Sequence, residues 1–546
     1  MITDSVSSTP EKPQSPSPHG PLRRLRVCLI NPRFNPNYFG MDHLLPLLPG
    51  DKRNIMVTGA LPALAALAPD HCSVDLVDEN VEPIDFAALE GYDVIGVTGM
   101  IVQHQRMREI LLRIKDYPAT IVLGGPYVSV AEGQFTGLCD VRFIGESEQT
   151  WPGFLLALGR GEDVLERYEQ ADRTDMSTVP PPRYELLKAE RYVMATLQFS
   201  RGCPFMCEFC DIITIFGRKP RMKSPAQMIR EFDAIRAAGF TRCFLVDDNF
   251  IGNKYKAKEL LAALIQWQEA NHYPLIFTTE ASINLADDAE MMQLMVKANF
   301  RQVFIGIESP RAASLEETRK VQNTRGDGLL EKIQRVRDAG LVINGGFMVG
   351  FDNDDEAVFE EQYEFISAAG IANASLAILT PIPSTPLYKR LETEGRLDFG
   401  RSDVIFHPKK MTRDALKSGY VSLMKRLYDP EAYFDRLLGG YEKSPQFRDS
   451  RRTQDRRIGA KVTLAGRLVE WIGGSLVLWR LYRVLDRNGA LSSPGRAYWR
   501  YWRRNRELLG ADAIPFATFV RLCAEHWHFF NIANDDQTKF GAVVSA

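Results

Sequence analysis

Charge of one sign is what this sequence lacks. Its 67 Lys and Arg against 69 Asp and Glu leave a formal net charge of −2 over 546 residues, which argues against bulk nucleic-acid binding. Cysteine is sparse as well, eight in all, so a disulfide scaffold is excluded. Long apolar runs are missing: Leu464 to Leu485 carries Arg467, Glu470, Arg480 and Arg483 and is interrupted by Gly473 and Gly474. That leaves about a dozen apolar residues where a spanning helix needs roughly 20. The chain does not open with a basic stretch followed by an apolar one; Met1 to Pro21 is rich in Ser and Pro, and residues 1–23 read as a disordered leader, not a signal peptide. No solenoid-type repeat recurs. A cytoplasmic protein of several globular domains is expected, since 45% apolar and 25% charged residues are average for soluble chains.

What is present is alternation of strand and helix. Short β-rich runs end in turn residues at Arg26 to Pro32, Ser73 to Asn80, Tyr92 to Gly99, Thr120 to Pro126 and Val141 to Glu146. They predict an α/β fold beginning with a parallel, doubly wound, Rossmann-like sheet over residues 24–160. A charged stretch ending in Pro180, Pro181 and Pro182 marks a linker over 161–190. A second series runs near Met194 to Ser200, Cys243 to Asn249, Ile276 to Ser282, Gln302 to Ser309, Val342 to Gly350 and Ser375 to Pro383. Six such units predict a partial (β/α)6 TIM-like barrel over 191–410, with chemistry at the C-terminal ends of its strands. From about Thr412 the pattern is helical and rich in Arg and Trp, giving a third unit over 411–546.

Three of the eight cysteines fall within eight residues. Ser200-Arg201-Gly202-Cys203-Pro204-Phe205-Met206-Cys207-Glu208-Phe209-Cys210 supplies three thiolates as C-x3-C-x2-C directly after a predicted strand. Three ligands for a four-iron cube leave one iron open to a small chelating molecule. A structural zinc site would need a fourth ligand, and no Cys or His follows closely. The segment resembles the radical S-adenosylmethionine (SAM) signature. The resemblance implies a [4Fe–4S] cluster on Cys203, Cys207 and Cys210, with the amine and carboxylate of SAM on the open iron. Phe209 resembles the aromatic that packs near the adenine. Asp248, in Leu245-Val246-Asp247-Asp248-Asn249, Glu280 and Glu308 end successive strands and are candidate SAM contacts. The superfamily often carries a Gly-Gly-Glu type motif at the first of these places, and this sequence departs from it. A buried carboxylate is expensive unless paired, so each acid is weighed against a turn-forming or salt-bridged role. Gly345, Gly346 and Gly350 are weighed between ligand contact and barrel closure.

The first domain ends its strands with Thr98-Gly99, Gly124-Gly125-Pro126 and Gly145-Glu146, and open parallel sheets bind ligands at that edge. Placed before a radical SAM barrel, this arrangement resembles the cobalamin-binding domain of class B radical SAM methylases, and the C-terminal extension resembles that of a subset including hopanoid C-2 methylases. The Asp-x-His-x-x-Gly motif of other cobalamin proteins is absent, since Asp42-His43-Leu44-Leu45 has the wrong spacing. His104 is weighed as a cobalt-facing residue against a plain surface histidine, which is favoured. The resemblance implies a cobalamin-dependent C-methyltransferase acting on an unactivated carbon. The alternatives are a cobalamin-associated radical SAM cyclase or rearrangement enzyme and a non-catalytic iron–sulfur protein. Implied partners are a small-molecule or lipid substrate and an electron donor such as flavodoxin or ferredoxin. Leu464 to Trp502 mixes Trp471, Trp479, Trp499 and Trp502 with Arg467, Arg480, Arg483, Arg496 and Arg500. It reads either as a cap on the barrel or as an amphipathic surface touching the inner face of the membrane, which would favour an isoprenoid or other lipid substrate.

Overall fold

The computed structural model describes residues 22–401, 403–459, 464–487 and 493–535, with 464–471 and 487 as helix backbone alone. The expected leader lies almost wholly outside these residues. The strands in chain order are β1 (Leu25–Asn31), β2 (Asn54–Met56), β3 (Cys72–Asp78), β4 (Val94–Thr98), β5 (Thr120–Gly124), β6 (Val141–Ile144), β7 (Arg167–Glu169) and β8 (Tyr192–Leu197). A short hairpin follows, β9 (Ser200–Arg201) with β10 (Arg221–Met222). The rest are β11 (Arg242–Leu245), β12 (Ile276–Glu280), β13 (Phe300–Glu308), β14 (Val342–Val349) and β15 (Ala374–Ile378).

Six strands make the first sheet, in the order β3-β1-β4-β5-β6-β7, all parallel. β1 and β4 are almost wholly buried, because helices cover both faces and near-continuous apolar runs suit that position. The strand order reverses at β1, so a crevice opens between the ends of β1 and β4, where Asn31, Thr98 and Gly99 lie. The sheet exceeds the expected five strands, since β7 comes from the predicted linker. That linker is otherwise packed down: Met176 and Tyr184 are buried, and the Tyr184 hydroxyl donates to the Thr196 carbonyl at 2.6 Å.

The second sheet runs β15-β14-β13-β12-β11-β8-β2, again parallel. Its six expected strands are present, and a seventh, β2, is lent by the first domain. The two edges, β2 and β15, are not paired with each other, so the barrel is incomplete. Helix starts follow capping chemistry: Ser224 and Gln227 form a reciprocal capping box at Pro225–Ala237, and Thr385 and Thr412 cap Pro386–Thr393 and Arg413–Leu427.

The C-terminal unit is helical, with Arg413–Leu427, Pro430–Glu442, Pro445–Gly459, Leu464–Arg487, Ser493–Leu509 and Phe516–Asn534. It closes the open side: the Tyr420 hydroxyl donates to Leu376 of β15 at 3.1 Å, and Phe529 stacks on Tyr38 with centroids 4.6 Å apart. Among the described residues no helix is long and apolar enough to cross a membrane. The tryptophan and arginine stretch is partly packed and partly exposed. Trp502 packs on Phe516 and Phe519, and Arg480 donates to the Leu48 carbonyl, so both belong to the cap. Trp479, Tyr482 and Trp499 are more than half exposed, at 53%, 59% and 60%. The side chains of Trp471 and Arg467 lie outside the described residues.

Candidate active site

A continuous cavity of about 2770 Å³ is lined by all three units. The cysteine loop sits at its upper end, beyond β8 and β9. Asp247 accepts from the Phe199 amide at 2.7 Å and the Ser200 hydroxyl at 2.8 Å, and Asp248 accepts from the Gly202 amide at 2.6 Å. Gly202 has φ +95°, and a Cβ there would lie 2.9 Å from the carbonyl oxygens of Gly217 and Lys219. Only glycine fits that crossing. Further along, Glu208 is held by Arg390 at 2.5 Å and its amide donates to the Thr318 carbonyl at 2.9 Å.

Cys203, Cys207 and Cys210 all line the cavity and form no disulfide. Among the described residues no three His, Cys, Asp or Glu groups close round one ion; the ligands of a four-iron cube stand further apart than those of a single ion. Burial pushes the Cys203 and Cys210 thiols up, so positive charge from a bound metal is what would hold them as thiolates. Gln322 Nε2 approaches the Cys207 sulfur at 3.6 Å, and the Gln322 side-chain oxygen is buried without a partner among the described residues.

The strand-end acids differ from one another. Burial raises Asp247 to about 7 and Asp248 to about 6. Burial, then Asp248 and Asp247, raises Glu280 to about 7. Among the described residues no side-chain hydrogen bond holds Glu280, and it lines the cavity beside them. Such crowding is relieved by a cation, and the methionine amine and sulfonium of SAM supply positive charge of that kind. Glu308 differs from these three: its carboxylate is taken by Lys320 at 2.7 Å in a buried pair, and its backbone has φ +66°. The salt-bridged alternative is thus present, and Glu308 lines the cavity as well. Lys320 itself, absent from the sequence-based candidates, lies 5.8 Å from the Phe209 ring. Burial pulls its ammonium down, but Glu308 and the nearby cysteines more than offset that and keep it charged. Phe209 lines the cavity and tilts against Phe351 at 6.4 Å.

Thr98, Gly99, Gly125, Pro126, Gly145 and Glu146 line the same cavity from the first sheet. Gly145, at φ +72°, has open space where a Cβ would stand. Two expectations, for Gly124 and His104, need correction, and Glu146 has a further role. Gly124 does not reach the cavity; its missing Cβ faces Phe143 at 3.5 Å. The Glu146 carboxylate is bound by Arg201 at 2.9 Å, Arg221 at 3.0 Å and the Thr174 amide at 3.1 Å, tying the first sheet to the cysteine loop. His104 is neither on the surface nor in the cavity. It is 4% exposed, with Nδ1 2.9 Å from the Ile101 carbonyl and its ring against Tyr127. No described histidine lines the cavity, so a corrinoid held there would take no histidine from these residues. In the barrel, Gly346 makes room for Phe304, which lies 2.8 Å from its absent Cβ, and Gly345 makes room for Phe347; barrel packing accounts for both.

Comparison with known proteins agrees with this arrangement. The Radical SAM superfamily matches residues 197–366, and a domain of unknown function, DUF4070, matches 385–539. The uncharacterized methyltransferase sll1242 of Synechocystis is 35% identical over 92% of this chain and 91% of its own length. The hopanoid C-2 methylase of Rhodopseudomonas palustris is 33% identical over 75% of this chain and 78% of its own. Among solved structures, the cobalamin-dependent SAM radical enzyme OxsB, with aqua-cobalamin and SAM bound, has a TM-score of 0.58 at 15% identity, covering 94% of this chain and 84% of its own. The chain is a radical SAM enzyme. Within that superfamily it belongs to the family of sll1242 and the hopanoid C-2 methylase.

Proposed function

We propose that the protein is a cobalamin-dependent radical SAM C-methyltransferase. The observation that carries this reading is the shared cavity: the cysteine loop and the Gly-rich ends of the first sheet face one space. When bound, the cluster and SAM supply a radical that removes hydrogen from an unactivated carbon, and methylcobalamin supplies the methyl group. Cys203, Cys207 and Cys210 would hold the cluster. Glu280 and Asp248 would face the positive groups of SAM, and Phe209 its adenine. Thr98, Gly99, Gly125, Pro126 and Gly145 would form the floor for the corrin, with Glu146 fixing the loop beneath it through Arg201 and Arg221. Asp247 keeps the cysteine loop in register by holding two groups of residues 199 and 200.

The test is occupancy and ligation. Purified protein given hydroxocobalamin should retain it through gel filtration, and the paramagnetic resonance spectrum of its cobalt(II) form should lack nitrogen hyperfine splitting. No retention, or clear nitrogen splitting, would defeat the reading.

The exposed Trp479, Tyr482 and Trp499 favour a finer reading, in which the enzyme rests on the inner face of a membrane and takes a lipid substrate. Arg483 lies 4.8 Å over the Trp479 ring and Arg503 5.0 Å over that of Trp499, which places cations beside the aromatics as an interfacial surface requires. Flotation with anionic liposomes at low salt should carry the intact protein, and a variant with Trp479 and Tyr482 changed to Ser should float less. Equal flotation of the two would remove the membrane reading.

A further inference from the structure

The barrel lumen is open along its length. Such an interior is ordinarily a packed core; here the inward-facing Thr278, Phe304, Gly306, Asn344 and Ser375 all line the cavity and keep partial exposure. The cavity continues past the N-terminal strand ends to a lower mouth, closed by the Pro445–Gly459 helix. Guanidinium groups gather there. Arg301, at the start of β13, donates to Asn299 at 2.9 Å and pairs with Asp455 at 2.7 Å. Arg451 lies 5.6 Å over the Phe447 ring, and its Nη1 is buried without a partner among the described residues. Arg448 stands in the same group but is engaged: its Nη1 donates to the Tyr441 and Glu442 carbonyls, and its Nε is paired at 3.5 Å with Asp512, which Arg452 shares.

A buried donor left unpaired costs about 1–3 kcal/mol, and more when charged. The Arg451 Nη1, gathered with the Arg301 and Arg448 guanidiniums, is such a donor and would be a liability in a structure meant to hold nothing there. Burial and the nearness of Arg301 push Arg451 down to about 10, the sign of cations in need of a counter-charge. Acids on this side do not provide it: Asp455 and Asp512 are already engaged, and Glu525 is pushed up by burial while facing Arg521, Arg242 and Asn373.

We propose that the lower mouth binds an oxyanion, a phosphate or a carboxylate, carried by the ligand that fills the lumen, with Arg451 donating to it and Arg448 and Arg301 adding charge. Taking that ligand as the substrate rests on the methyltransferase reading; the anion site does not. From Arg301 to Glu308 the strand advances by seven residues at about 3.3 Å each, roughly 23 Å. A ligand held by its head at the lower mouth therefore presents the far end of a body of about that length to the cysteine loop.

Binding to the reconstituted full chain is measured by calorimetry with dodecyl phosphate, dodecanol and inorganic phosphate. Dodecyl phosphate should bind at least tenfold tighter than dodecanol. Arg451→Met should erase that preference while leaving dodecanol binding unchanged, and Arg451→Lys should keep part of it. Arg448→Met, expected to weaken the preference as well, serves should Arg451→Met fail to fold. Inorganic phosphate binding as tightly as dodecyl phosphate, with the same dependence on Arg451, would identify a free oxyanion as the occupant of this site; much weaker binding would identify a tethered head group. Equal affinity for dodecyl phosphate and dodecanol in the unaltered protein, or a preference that survives both Met variants, would overturn the proposal. Because binding is read without SAM cleavage, that result would leave the methyltransferase reading standing, and loss of radical chemistry would leave the anion site standing.

Discussion

At the upper end of the lumen Asp247, Asp248 and Glu280 crowd beside the cysteine loop, and at the lower end Arg448 and Arg451 of the Pro445–Gly459 helix gather with Arg301. Both ends bury like charges together, which costs stability. They differ in how the opposite charge nearby is disposed. At the upper end the cations Lys320, Arg201 and Lys223 are each consumed by an acid, Glu308, Glu146 with Glu148, and Glu231. Glu280, which no described side chain holds, is left there for a cation, and at the lower end Arg451 is left for an anion. A lumen with such poles would orient an amphiphilic ligand before any chemistry begins.

The largest effect that would break this comparison comes from the paired cations. Lys320→Met leaves Glu308 buried and alone, and the loss of one partner from a buried pair costs about 3–5 kcal/mol. Thermal or urea unfolding of the ligand-free protein should show it. A change within about 1 kcal/mol of the unaltered protein would mean that the pair is solvated and that the upper end has no spent cation.

A smaller effect has the opposite sign. Glu280 stands raised to about 7, from burial first and from Asp248 and Asp247 next. A carboxyl raised in the folded state binds its proton there when the unfolded chain has released it. Its cost therefore grows as pH rises from the ordinary carboxylate range to about 7 and stays constant above. Glu280→Gln should accordingly stabilise the ligand-free protein at pH 8 by about 1–3 kcal/mol, have little effect at pH 4, and weaken SAM binding. Destabilisation at pH 8 would show that Glu280 is paired in solution. Less stabilisation than SAM binding loses is the expected pattern of a group kept for its ligand.

How much of this was legible in the sequence follows from the range of the interactions involved. The three cysteines, the strand ends and Glu280 announce themselves through local spacing. Lys320 does not: it reaches Glu308 across the helical excursion that includes Ala312–Glu317, and nothing in its own neighbourhood marks it. Neither β2 nor β7 could be placed, because each is three residues long and its sheet is chosen by tertiary pairing. His104 looked exposed because it follows a strand end, yet it begins a helix whose apolar face takes it inward. The lower mouth was invisible for the plainest reason. Arg301 and Arg451 are brought together by a helix from the C-terminal unit, and no local pattern connects residues so far apart in sequence.

The most direct test of the central claim, that the upper end is a radical SAM site, is the yield of 5′-deoxyadenosine. Anaerobically reconstituted protein is incubated with SAM and a strong reductant, and the product is quantified by mass spectrometry beside variants with Ala at Cys203, Cys207 or Cys210. The account expects 5′-deoxyadenosine from the unaltered protein and none above background from any of the three variants, with their four-iron absorption lost as well. Equal yields from the unaltered protein and the variants would contradict it.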